Sequence, residues 1–281
     1  MQKNTFAHSI VPRDKLLSLR LKDIWQYRDL MLLFVRRDFV AKYKQTILGP
    51  AWFFIKPLLQ TAMLTVVFSG IANLPTDDIP PILFYLAGIT AWNYFAQCIM
   101  TTSNTFTANA HLFGKVYFPR AVTPISIVIS NLVQFGIGLF LFLLFYGYYA
   151  LTGYPVMPNA VLFMLPVLIL LMGFMGLGLG MIISAMTTKY RDLQNLVEFG
   201  VQLLMYATPV ILPLSALPDK YRIVMLVNPM TGIIETFKYA FFGLGTLQWG
   251  LLGYSAIFTI TVFLVGLVIF NKTEKNFMDT V

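Results

Sequence analysis

The chain has 281 residues, of which 58% are hydrophobic and only 11% charged, far from the roughly 25% charged content of soluble domains, so lipid must be the solvent for most of it. The net charge of +8 does not mark a nucleic-acid binder, because ten of the twenty Lys and Arg residues precede Leu48, where they hold a terminus in the cytoplasm instead of forming a base-reading face. Cys98 is the single cysteine, and His8 and His111 stand apart, which excludes an intrachain disulfide and a Cys/His metal set.

Residues 1–22 are polar and mixed in charge, without the apolar run of a cleavable signal, so insertion is expected to rely on the spans themselves. Between 24 and 44 apolar and charged residues alternate at helical spacing. Ile24, Tyr27, Met31, Phe34 and Val35 fall along one side, while Arg28, Asp29, Arg36, Arg37, Asp38 and Lys42 fill much of the rest. Too charged to span, this segment reads as an amphipathic helix in the membrane interface; a solvated amphipathic helix is the plainer alternative.

Continuous apolar stretches follow at 48–73, 82–105, 121–150, 160–186, 193–213 and 248–270, each close to the roughly 20 residues that cross a bilayer core. The connections at 73–81 and 152–159 are rich in Pro, Gly and Asp and hold no Lys or Arg. Lys115 and Arg120, Lys189 and Arg191, and Lys272 and Lys275 occupy the opposite connections and the tail, which predicts six spans with both termini cytoplasmic. Residues 214–247 are interrupted by Pro218, Asp219, Pro229, Glu235, Lys238 and Gly243; they read as a short re-entrant or interfacial helix pair on the outer side, or as a plain extracellular loop. No internal repeat is evident, so the inverted halves of many secondary carriers are missing.

The expected fold is therefore an all-α polytopic membrane protein. Six transmembrane helices are joined by an N-terminal amphipathic interface helix and by short re-entrant or interfacial helices between the fifth and sixth spans. One domain accounts for 1–281: a cytoplasmic tail and interface helix at 1–47, the bundle at 48–270, and a second tail at 271–281.

Catalytic signatures are lacking. Gly114-Lys115 runs into Val116, not Ser or Thr, and no earlier glycine completes a phosphate-cradling loop. No Gly-x-Ser-x-Gly elbow or His pair is found. Ionisable residues inside a span invite a functional reading, yet only Lys56 and Glu198 qualify, and each lies near enough to a span end to be structural. Tyr85, Trp92 and Phe95 share one face of the second span and Trp52 enters the first; they are candidates to line a passage for sugar C–H faces, or else packing and headgroup-belt residues. Gly176 and Gly180, with Gly173 and Gly178 nearby, have the spacing of close helix packing, read here as contacts within the chain.

Two stretches, Thr46-Ile47-Leu48-Gly49-Pro50-Ala51-Trp52 and Lys115-Val116-Tyr117-Phe118-Pro119-Arg120, resemble the permease subunits of polysaccharide-exporting ABC transporters, of the O-antigen and teichoic acid type. Tyr190-Arg191-Asp192-Leu193, Ala207-Thr208-Pro209-Val210 and Asn228-Pro229-Met230 follow in the same order, so the resemblance covers nearly the whole chain. It implies a homodimeric permease in the inner membrane that moves a lipid-linked polysaccharide outward. Two copies of a separate ATPase would carry ATP and Mg, with no cofactor in this chain.

By the same resemblance, His111, Lys115, Val116, Tyr117, Phe118, Pro119 and Arg120 belong to a coupling helix seated in the ATPase. Lys115 and Arg120 would meet acidic groups there, and Tyr117 and Phe118 an apolar notch. Arg36, Arg37, Lys42 and Lys44 would sit on a gate helix and attract the lipid linker's pyrophosphate. Residues 214–245 would form the outer gate. An ABC permease for a drug or simple lipid, an ion-coupled secondary transporter and an intramembrane transferase are the rival readings. Scarce buried carboxylates speak against the second, and the want of a His or Asp/Glu constellation against the third.

Overall fold

The computed structural model describes residues 21–116, 118–154, 157–190, 192–245 and 247–277; Tyr117 and Arg191 of the motifs above lie outside the described residues. Among the described residues all regular structure is helical. Helices α1 (Leu21–Gln26) and α2 (Arg28–Tyr43) precede a turn with Gln45 and Gly49 at φ 66° and 52°. Pro50 then begins a 3-10 turn that feeds α3 (Trp52–Leu64), continued by a π-helical stretch over Thr65–Ile71.

Pro81 sits at the first position of α4 (Pro81–Thr102), where its missing N–H costs no helix bond. The chain continues through α5 (Thr105–Phe113), α6 (Val122–Leu151), α7 (Leu165–Thr187) and α8 (Leu193–Tyr206). Next come α9 (Asp219–Val227), α10 (Pro229–Phe242) and α11 (Trp249–Phe277).

Five helical segments are long and apolar enough to cross a bilayer: Gly49–Ile71, Pro81–Thr102, Val122–Leu151, Ala160–Thr187 and Trp249–Glu274. The stretch expected as a further span, 193–213, differs. Its helix, α8, closes at Tyr206 after 14 residues, about 21 Å at 1.5 Å per residue against a core of about 30 Å. Pro209 brings no N–H and forces the preceding residue out of helical geometry, and the exposed carbonyls are taken by side chains: Thr208 Oγ1 donates to Met205 O at 2.6 Å and Asn228 Nδ2 to Ala207 O at 3.1 Å. Two short helices, α9 and α10, follow it.

Helix α4 is the hub, with 83% of its span buried against 11% for the α3 span. Glycines let α7 press against it: a β-carbon at Gly176 would come 2.5 Å from Cys98 Cβ, and one at Gly180 2.5 Å from Thr102 Cβ. On its other side, a β-carbon at Gly178 would meet the α11 backbone at Phe263 at 2.8 Å. The small-residue spacing thus serves packing within the chain.

Two ends of the bundle follow from these contacts. At one, Tyr154 Oη donates to Asp78 O at 2.7 Å and Asn159 Nδ2 to Tyr239 O at 2.9 Å, tying two connections to α10. At the other, Thr187 Oγ1 donates to Ser103 O at 2.9 Å and Arg120 Nη1 to Glu274 O at 2.7 Å, gathering α5, α7 and α11.

Candidate coupling surface and basic cleft

Helix α5 is held by one side. Phe106 is fully buried and stacks on Phe270 with centroids 4.6 Å apart, and Phe113 is buried beside it. The chain then turns back, with Lys115 N and Val116 N both donating to Leu112 O at 3.1 Å. His111, Gly114, Lys115 and Val116 are left facing outward, Val116 at 54% exposure. They form a small tip with one cation and one apolar side chain.

Two members of the expected coupling segment are placed elsewhere. Phe118 is buried in this chain's own aromatic cluster, 5.7 Å from the rings of both Phe34 and Phe113. Burying an aromatic side chain removes some 150–250 Å² from solvent, more than an exposed loop position gains. Arg120 is buried too, with Phe113 under its guanidinium at 5.3 Å and the Glu274 carbonyl accepting from it. Both fasten the loop to the bundle within this chain, whereas the sequence reading has them meet a partner. Pro119 is half-buried between them.

The basic helix α2 lies across the same end. Phe34 anchors it through Phe118, and Ile24 is buried within the chain, while Trp25, Leu32 and Leu33 remain exposed. Its four cations divide. Arg36 and Lys44 face outward; Arg37 lies over the Phe34 ring at 4.7 Å, pairs with Asp38 at 2.8 Å and donates to Asn109 Oδ1 at 3.4 Å. Lys42 is open along its stem but turns its ammonium inward to Asn131 Oδ1 at 3.3 Å. Burial of that ammonium lowers its pKa from the ordinary lysine value, and Asp38 pulls the other way. Arg37 and Lys42 thereby become walls of a 690 Å³ cleft between α2, α4, α5 and α6, together with Asn104, Asn109, His111 and Asn131.

The aromatic candidates are also redistributed. Tyr85, Trp92 and Phe95 are 0%, 3% and 3% exposed. Trp92 meets Phe95 edge-on at 5.3 Å and Tyr85 meets Phe84 at 5.4 Å. Because α4 is surrounded by α3, α6, α7 and α10, these rings fill the core instead of lining a passage or facing lipid. Trp52 does stay at the surface, 45% exposed, and borders a 140 Å³ cavity with Lys56, Asn93, Gln97 and Gln134. Lys56 and Glu198 are both exposed. The polar residues of α4 and α6 that wall these spaces were not singled out from the sequence; their signal was amide and hydroxyl side chains at helical spacing inside apolar runs.

At the opposite end Lys238 of α10 is buried, donating to Pro209 O, with its ammonium 3.2 Å from the centre of the Phe84 ring. Burial holds its pKa below the ordinary value, Glu235 one turn away opposing this, and Glu235 is itself raised by burial. Among the described residues no three His, Cys, Asp or Glu side chains gather as a metal site.

Five bilayer-length segments in a bundle that is all-helical among the described residues, with a basic helix laid across one end, define a multi-pass membrane protein as a class. The chain belongs to the ABC-2 type transporter family, whose sequence model matches residues 29–242, from the start of α2 to the end of α10. It is 27% identical over 268 residues to the O-antigen export system permease protein RfbA of Klebsiella pneumoniae, covering 94% of this chain and 99% of that one. The RfbA protein of Myxococcus xanthus is 28% identical over 224 residues, 79% of this chain and 84% of its own. The polysialic acid transport protein KpsM of Escherichia coli is 22% identical over 253 residues, 87% of this chain and 93% of its own.

Proposed function

We propose that this chain is the membrane-spanning permease of an ABC exporter that moves a lipid-linked polysaccharide, an O-antigen or related glycan, across the inner membrane. The observation that carries the reading is the match, over most of the chain, to permeases named for O-antigen export. The tip of His111, Lys115 and Val116, with Tyr117 beside it in sequence, supports it by offering a surface the bundle leaves unused. A separate ATPase, two copies serving two copies of this chain, hydrolyses ATP with Mg and pushes on that tip. Both termini lie in the cytoplasm with it. The sixth crossing is completed by α8 together with the turns at 207–213, and α9 with α10 closes the outer end. Arg36, Arg37, Lys42 and Lys44 draw the linker's pyrophosphate to the membrane surface, and Trp52 borders its route inward. No catalytic residue is assigned to this chain.

Reconstitution with the cognate ATPase tests the reading. Proteoliposomes holding both proteins should export the lipid-linked glycan only with ATP, and Lys115→Glu combined with Val116→Arg should cut glycan-stimulated ATPase activity at least tenfold while the variant permease stays folded. Export without the ATPase, or full stimulation by the double variant, would overturn it.

A further inference from the structure

The polar residues of α4 form a ladder. Thr90, Asn93, Gln97 and Thr101 recur every three or four positions, on one side of the helix, over about 17 Å at 1.5 Å per residue, and Asn104 follows in the turn before α5. Facing them, α6 offers Ser130, Asn131 and Gln134. The 690 Å³ cleft and the 140 Å³ cavity share Gln97 and Asn131 as walls, so they are neighbouring chambers with these two side chains between them, together called the groove. It runs from the cationic mouth at Arg37 and Lys42 to about the middle of the α4 span.

Polar side chains within a bilayer-length bundle either join helices or meet a ligand or water. Some here join helices: Asn93 Nδ2 donates to Gln60 Oε1 at 3.2 Å, and Asn131 Nδ2 to Thr101 Oγ1 at 2.9 Å. Others do not. Ser130 Oγ, Gln134 Nε2 and Asn104 Oδ1 are buried without a hydrogen-bond partner, and Ser130 is only 2% exposed. Packing alone leaves these three unexplained, because a buried polar atom is costly unless something pairs with it.

The lining also selects a chemistry. The inner chamber has amides, a threonine, aromatic rings and Lys56, and no carboxylate, which disfavours a cationic drug. Its amides, each both donor and acceptor, suit hydroxyl groups that also do both, whereas a simple lipid tail would leave them unpaired. The mouth adds two cations, Arg37 and Lys42, and one carboxylate, Asp38, which is paired with Arg37 at 2.8 Å, so the cations exceed the anions there by one. We infer that the groove within one protomer holds the point where a sugar joins a phosphate, the phosphate at Arg37 and Lys42 and the sugar hydroxyls along Gln97, Asn131, Ser130 and Gln134. This inference rests on the glycan-export reading and names where that substrate first engages.

Binding to the full chain in lipid nanodiscs tests it with three probes: farnesyl-pyrophosphoryl N-acetylglucosamine in the bilayer, soluble N-acetylglucosamine 1-phosphate, and inorganic phosphate. Gln134→Leu and Ser130→Ala, which break no hydrogen bond in the chain, should each weaken the sugar probes at least fivefold and leave inorganic phosphate unchanged. Lys42→Gln should weaken all three. Tighter binding of the farnesyl probe names the lipid-linked source, and binding of the soluble one alone a free sugar phosphate. Unchanged sugar binding in Gln134→Leu, or equal affinity for phosphate and sugar phosphate, would overturn the inference. Parallel export assays separate the two claims: ATP-driven export unaffected by groove variants that also leave binding unaltered sinks the groove alone. Sugar binding with the stated sensitivities in a complex that exports no glycan sinks the export reading alone.

Discussion

The two ends of this bundle solve the same problem in opposite ways. At the α9–α10 end aromatic packing closes the bundle: Phe142, Phe237, Phe241 and Phe242 interlock with centroid separations of 4.9–6.1 Å, Tyr146 Oη reaches Phe241 O, and Lys238 caps a carbonyl and an aromatic face. At the α2–α5 end a cleft stays open between helices, with cations at its mouth and buried polar atoms without partners inside. A membrane bundle that merely had to be stable would pack both ends alike. On the proposed function, the contrast assigns stability to one end and exchange with other molecules to the other.

Substitutions can break that contrast, starting with the seam both ends share. Gly180→Leu would drive a side chain into Thr102 and Ile99 O of α4, and should abolish the monodisperse peak of purified protein in size-exclusion chromatography. Phe237→Ala, in the closed end, should cost about 3–5 kcal/mol in reversible unfolding without changing the affinity for sugar phosphate. Lys238→Ala leaves the Pro209 carbonyl unpaired and should cost about 1–3 kcal/mol in the same measurement. At the open end the sign of the lesson reverses: Gln134→Leu should shift unfolding by no more than about 0.5 kcal/mol or stabilise slightly, while glycan export falls. A Gln134→Leu chain that unfolds as readily as Phe237→Ala would erase the distinction between the ends.

Much of the architecture was legible because lipid leaves a coarse mark: runs of about 20 apolar residues became helices of bilayer length at five of the six stretches. The remaining stretch ended early at Tyr206, shortly before Pro209, a residue whose effect on helices outweighs the apolar content around it. The site was harder to read. The basic character of α2 is plain in sequence, but which cations turn inward depends on Asn109 and Asn131, 72 and 89 residues away. Phe118 and Arg120 read as exposed because their partners Phe34 and Glu274 are equally remote. On α4 the aromatic face drew attention, yet that face is packed in the core, and the side that borders the cleft was marked by the quieter recurrence of Asn93, Gln97 and Thr101.

The account depends most on the tip of α5 meeting an external motor on the side of the membrane where the basic helix lies. Labelling of a Cys98→Ala chain carrying Lys115→Cys, with an impermeant maleimide in vesicles of both orientations, addresses this directly. Modification in inside-out vesicles alone, blocked when the cognate ATPase is bound, is the predicted result; modification in right-side-out vesicles alone would contradict it.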